Sequence, residues 1–258
     1  GVGFKVLDNL SIGANISYIY GDITHSVTTA FSNSSSFSSV RLDKISINDY
    51  KLDFGLQYSY KFNKKHVLNF GAVYSLGHSV NGKGYKYNQK WLNGADYPST
   101  QTGDTITNAF SLPHTFGAGL TYVYDNRLTI GADFTYQQWE DAKFYNEKSY
   151  FSNRTKIAAG AEFVPNPYSR NYLKRVRYRV GGYYSDPYTK VDGQDGTREY
   201  GVSAGFGFPL FQSKSILNIS GQYVRVSPKV KGMLEENYLK INIGLTFNER
   251  WFMKWKVD

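Results

Sequence analysis

Apolar and polar residues alternate one by one along most of the chain, and this period of two predicts β-strands almost from end to end. From Leu10 onward, Leu10, Ile12, Ala14, Ile16, Tyr18 and Tyr20 share one face, and Ser11, Gly13, Asn15 and Ser17 share the other. The even positions from Tyr50 to Phe62 then oppose Lys51, Asp53, Gly55, Gln57, Ser59 and Lys61. The same alternation runs through Leu68–Leu76, Phe116–Tyr124, Leu128–Tyr136, Ile157–Phe163, Val176–Val180, Tyr200–Phe208, Leu217–Tyr223 and Leu239–Phe247. With the opening segment this predicts about eleven strands, and no window of about 11 residues keeps a helical apolar stripe.

A soluble sandwich also alternates, but three features point to a membrane barrel. The runs are about 9–13 residues, longer than the five or six of ordinary strands and enough to cross a bilayer at a tilt. The apolar face has aliphatics and Ala in the middle and Tyr or Phe toward the ends, as interfacial aromatic girdles require. The opposite face carries Gly, Ser, Asn, Gln and charge, which suits a polar lumen and would be costly in a sandwich core. The expected fold is therefore all-β, a transmembrane antiparallel β-barrel forming a single outer-membrane domain over residues 1–258.

Connections alternate in length, and this orients the barrel. Short turns are expected at residues 7–9, 63–65, 125–126 and 211–215, with a somewhat longer one at 165–174. Long loops are expected at 22–43, 81–104, 139–153, 185–196 and 227–236. Short turns are periplasmic and long loops extracellular in such barrels. The first strand then descends, and an even strand total requires an odd number upstream. On this reading the chain is the C-terminal part of a longer barrel, with an N-terminal piece and its first strands missing.

Composition removes several function classes. With no Cys among 258 residues, disulfide scaffolds, thiol catalysis and Cys-ligated zinc are excluded. No run approaches about 18 apolar residues, so a transmembrane helix is excluded. The mean hydropathy of −0.47 is compatible with a barrel, which gives only alternate residues to lipid. The net charge of +9 comes from scattered bases, so no nucleic-acid partner is expected. His25, His78 and His114 fall toward the extracellular side, but no paired metal-ligand spacing occurs, and neither a metal nor another cofactor is expected. Ser111 beside His114 is sequence proximity alone, and no enzyme is expected. The run 192–196, Asp-Gly-Gln-Asp-Gly, reads as a turn, because it lacks the acidic ligands of a calcium loop. Gly82-Lys83-Gly84 lacks the spacing of a phosphate loop.

The stretch from Leu112-Pro113 through Tyr122, the turn at Asp125-Asn126, and the returning strand from Leu128 to Tyr136 with Trp139 beyond it resemble the FadL/TodX (OMPP1) family of outer-membrane transport proteins. Residues 10–21 and the run Arg177-Tyr178-Arg179-Val180-Gly181-Gly182 through Pro187 are similar to it as well. The basic aromatic tail at 248–256 departs from the usual terminal Phe and resembles Bacteroidetes members. The resemblance implies a barrel of about 14 strands, an N-terminal hatch, and passive uptake of hydrophobic small molecules such as long-chain fatty acids. It also admits a barrel that acts as a structural or adaptor subunit of an outer-membrane protein export or assembly complex. The expected partners are outer-membrane lipid, a hydrophobic ligand and other outer-membrane proteins.

The inward face carries Lys51, Lys156, Arg175, Arg177, Arg179 and Lys240 together with Asp53, Asp133 and Glu162. One reading makes the cations a ligand path that attracts a carboxylate headgroup. The other makes the mixed charges an ion-pair network that stiffens the lumen. For the ligand path the residues are Arg177, Arg179, Lys156 and Lys51, with Arg177 and Arg179 expected beneath a long extracellular loop.

Overall fold

The computed structural model describes residues 1–33, 36–92, 95–96, 105–145, 148–191, 193–210, 215–229 and 234–247. Twelve long strands form in chain order: β1 (Val2–Leu7), β2 (Leu10–Thr29), β3 (Ser38–Lys61), β4 (His66–Ser75), β5 (Gly82–Leu92) and β6 (Thr115–Tyr124). They continue as β7 (Leu128–Gln137), β8 (Arg154–Phe163), β9 (Arg177–Ser185), β10 (Thr197–Pro209), β11 (Ile216–Pro228) and β12 (Glu236–Thr246). All but β5 lie side by side in one antiparallel sheet in sequence order, β4 pairing directly with β6. The eleven expected barrel strands are therefore present. β1 and β12 are the two edges and do not pair with each other, so the sheet is open.

The register carries the lipid face unbroken across the sheet. Leu10, Tyr58, Phe70, Leu120, Ala132, Ala159 and Gly182 each lie directly opposite the next across β2, β3, β4, β6, β7, β8 and β9. Outward apolar side chains are bare: Ile16 is 71% exposed, Val180 63% and Ile241 70%. A continuous apolar belt on this scale is suited to hydrocarbon and would drive aggregation in water. At the short turn between β6 and β7, Asp125 and Asn126 adopt φ of 49° and 52°, the left-handed geometry that Asp and Asn tolerate in tight hairpins.

Two expected loops are corrected. Residues 22–43 are mostly strand: β2 and β3 stay paired as far as Thr29 and Ser39, well past the length a bilayer crossing needs. Within residues 81–104, β5 pairs with the upper part of β3, from Ile47↔Gly82 to Ser38↔Trp91. The cause is an inversion of amphipathicity. Below Tyr50 the apolar residues of β3 point outward, but above it Ile45 and Ile47 point inward, and Asn48, Ser46 and Lys44 point out. Ile19, Ile23 and Val27 follow the same switch on β2. Outward polar groups satisfy one another there, with Ser46 Oγ donating to Asp22 at 2.6 Å and Lys44 Nζ 2.9 Å from the same carboxylate.

The inward apolar residues build a second core above the membrane. Ile45 (1% exposed), Ala109 and Tyr145 are buried together, with Ile47, Ile106, Phe110 and Phe144 packed around them. Gly84, opposite Ile45, admits this packing: a Cβ there would stand 2.8 Å from the Ala109 Cβ and 2.9 Å from the Tyr145 ring. Beside it, Trp139 packs on Phe151 and Tyr188, with ring centroids 5.2 Å away in both cases. The overhang and the folded connections together form a cap at the long-loop end. Val176 is corrected too: it precedes β9 and is buried, 1% exposed, in the short-turn connection. The tail at 248–256 and Asp192 lie outside the described residues.

Candidate functional site

The four expected ligand-path cations all sit on inward-facing positions, and the structure gives each a partner from its own chain. Glu162, near the end of β8, lies directly opposite Arg179 on β9. Arg179 Nε donates to Glu162 Oε2 at 2.6 Å, and Arg177 Nη1 donates to Oε1 at 2.9 Å. One carboxylate is thus gripped by two guanidinium groups, an arrangement that their two-residue spacing makes possible by placing both on one face. Arg179 Nη1 also donates to Asn218 Oδ1 on β11 at 2.7 Å, extending the network across β10. Asn218 carried no signal in the sequence, because its role depends on pairing across strands that are distant along the chain.

Arg177 follows the connection 164–176 directly, so this network lies at the short-turn end of the sheet. The expectation that the arginines sit beneath a long extracellular loop is corrected by this placement. It follows from the strand's direction: β9 leaves a short turn and reaches the cap only at Ser185.

Lys51 and Lys156 lie nearer the cap. Lys51 Nζ is 2.5 Å from Asp53 Oδ1, and Ser75 Oγ donates to that same oxygen at 2.5 Å. Lys156 Nζ stands 5.2 Å from the centroid of the Tyr183 ring, and the Tyr183 hydroxyl donates to Glu199. The structure therefore brings Arg177 and Arg179 together but leaves Lys51 and Lys156 in separate clusters on β3 and β8. Between them the inward wall is lined by glycine and small polar groups, and a hollow of about 660 Å³ lies against Gly55, Gly71, Gly117 and Gly119 near Gln57 and Asp133.

Two of the histidines on the long-loop side, His114 and His78, lie against partners from this chain. Tyr74 Oη is 2.8 Å from His114 Nδ1, and His78 stacks on Tyr50 with Nε2 3.4 Å from Asp49 Oδ2. Three cap segments meet at Asp195, which accepts from Ser152 Oγ at 2.6 Å and from Lys229 Nζ at 2.9 Å. Those contacts, the lysine first, hold the Asp195 carboxyl below its ordinary value. Among the described residues no group of three or more His, Cys, Asp or Glu is arranged to hold a metal ion.

Comparison with solved structures agrees with this architecture. The chain is similar to a Pseudomonas aeruginosa FadL homologue, with TM-score 0.54 and 18% identity over 88% of this chain and 58% of that one. It is similar to the Ralstonia pickettii toluene transporter TbuX, with TM-score 0.55 and 12% identity over 88% of this chain and 62% of that one. The P. putida toluene transporter TodX gives TM-score 0.52 and 14% identity over 94% and 66%. The chain thus spans less than two thirds of each of these structures. At such identities they establish the outer-membrane β-barrel fold. No curated protein matches by sequence. The family model that matches, over residues 1–258, is described as BamG. The FadL/TodX resemblance therefore holds at the level of the fold, and the family matched by sequence carries another name.

Proposed function

Starting from the BamG family, to which this chain belongs, we propose that it acts as a structural or adaptor barrel subunit of an outer-membrane protein export or assembly complex, with no chemical step of its own. The observation that carries this reading is the Arg177–Glu162–Arg179–Asn218 network. Hydrogen bonds that tie side chains of three strands together stiffen a wall, and each guanidinium in the network already has an acceptor from its own chain, with one net positive charge left on the group. The cap supports the same reading, because its overhang has a packed core and offers a rigid platform above the membrane. The proposal includes a closed barrel of about 14 strands in the whole protein, of which this chain supplies eleven.

A second reading is passive uptake of hydrophobic small molecules such as long-chain fatty acids. The observation favouring it is the fold shared with a FadL homologue and two toluene transporters. In that case the glycine-lined hollow of the inward wall is the path, and Arg177, Arg179, Lys156 and Lys51 polarise it.

Native electrophoresis of the full-length protein, extracted from its own membrane in mild detergent, separates the two when run beside a fatty-acid binding measurement. A subunit migrates in a stable assembly with other outer-membrane proteins and binds no fatty acid. A conduit migrates alone and binds the fatty acid.

A further inference from the structure

Between Glu162 and Asp186 the chain carries five bases, Arg170, Lys174, Arg175, Arg177 and Arg179, and no acid. Arg177 and Arg179 hold Glu162 in the wall, which leaves the other three bases to the connection 164–176. The acid of the adjacent turn, Asp125, lies 3.7 Å from its own Arg127. The connection is built rather than loose. Val164 and Val176 bury its two ends, at 5% and 1% exposed. Asn166 Oδ1 accepts from the Tyr168 N–H at 3.0 Å, and the Asn166 N–H donates to the Lys174 carbonyl at 2.8 Å. Asn171 caps the 3-10 turn Tyr172–Lys174, its side chain accepting from the Leu173 N–H at 3.0 Å. This frame presents two large apolar side chains, Tyr168 at 93% exposed and Leu173 at 64%.

The position of the frame decides what covers them. Tyr178 points outward at the start of β9, level with Phe163 on one neighbour and Phe206 on the other. The Tyr178 and Phe206 ring centroids are 5.8 Å apart. These three rings form the aromatic row where the lipid face meets the headgroups at the short-turn end. The Tyr178 hydroxyl donates to the Leu173 carbonyl at 3.1 Å, so the 3-10 turn is tied to the bilayer side of the wall. Beside an aromatic girdle, Leu173 stands where acyl chains begin, with exposed Arg170 and Lys174 close along the chain. Arg175 is half-buried, its Cζ 5.4 Å from the Tyr172 ring centroid, and stays out of this surface. An apolar side chain flanked by bases at that depth fits a phosphate-bearing lipid, whose chains take the leucine and whose phosphate takes the cations.

We propose that the connection 164–176 is a docking site for anionic phospholipid in the leaflet on the short-turn side. Leu173 inserts beside the acyl chains, Tyr168 lies among the headgroups, and Arg170 and Lys174 hold the phosphate. The site is independent of whether the barrel is a subunit or a conduit.

The test releases the full-length protein from nanodiscs of mixed phosphatidylglycerol and phosphatidylcholine with matched acyl chains. Native mass spectrometry then reads the ratio of the two lipids retained. Phosphatidylglycerol should be enriched over its share of the disc. Arg170→Gln and Lys174→Gln, both at exposed positions, should each lower the ratio about twofold to fivefold, while Lys64→Gln, on another turn at the same end, should leave it unchanged. A photo-crosslinking amino acid in place of Tyr168 should capture lipid in native membranes. No enrichment, an unchanged ratio in both variants, an equal loss in Lys64→Gln, or capture of protein without lipid would overturn the proposal.

Discussion

Ile45 and Gly84 are directly opposed across β3 and β5, and together they mark where the sheet stops being a membrane wall and becomes the floor of a folded cap. Ile45 turns inward because the overhang has no lipid to face, and Gly84 leaves room for Ala109 and Tyr145.

Truncating Ile45 should therefore cost cap stability. Ile45→Ala removes a side chain that is 1% exposed and should cost about 2–5 kcal/mol, and Gly84→Val should cost about 1–3 kcal/mol through overpacking. Limited proteolysis of the folded protein checks both. Cleavage within the cap should accelerate while the membrane strands stay protected.

The two faces of the sheet should respond differently to charge. Phe54→Arg and Leu120→Arg, on the lipid side near the middle of the membrane, should each cost about 2–4 kcal/mol, and the inward Gln57→Arg much less. Folding titrations into lipid vesicles measure this, and equal penalties on both faces would refute the assigned alternation.

Most of the barrel was legible in the sequence, since lipid on one side and a polar lumen on the other leave a strict period of two in strands such as Phe116–Tyr124. The cap was not. Ile45 and Ile47 carry on the alternation of β3 but in the opposite phase, and beside Lys44, Ser46 and Asn48 they read as a polar loop. Only the loop core they bury against, Ala109 and Tyr145, gives that phase a meaning, and it comes from more than 60 residues further along, as their numbers show. The site divides similarly. The parity of Arg177 and Arg179 was readable from their spacing, while their shared hold on Glu162 required the register of β8 against β9.

Removing the carboxylate from that network should unsettle the wall. Glu162→Ala leaves two guanidinium groups without their acceptor and should cost about 1–2 kcal/mol, discounted for the partial exposure of all three side chains. A double-mutant cycle of Glu162→Ala with Arg179→Ala should show positive coupling, read from vesicle unfolding midpoints. Zero coupling would mean the contacts are electrostatically idle.

Acid should loosen the cap at Asp195. Its carboxyl is held below its ordinary value of 3.8 by Lys229 and then Ser152, so its stabilisation is present above that value and is lost as pH falls through the lowered folded value. Protection of the segment around Ser152 against hydrogen exchange should decline below about pH 4, and Asp195→Asn should lack that acid-dependent step.

The most direct test of the account is the amount of other folded outer-membrane proteins in cells depleted of this one, measured by quantitative proteomics of isolated outer membranes, with fatty-acid uptake followed in the same cells. A structural or adaptor subunit predicts a broad loss of outer-membrane proteins, restored by the full-length wild-type protein, with uptake falling no further than the other proteins do. An unchanged outer-membrane complement together with a selective loss of uptake would contradict it.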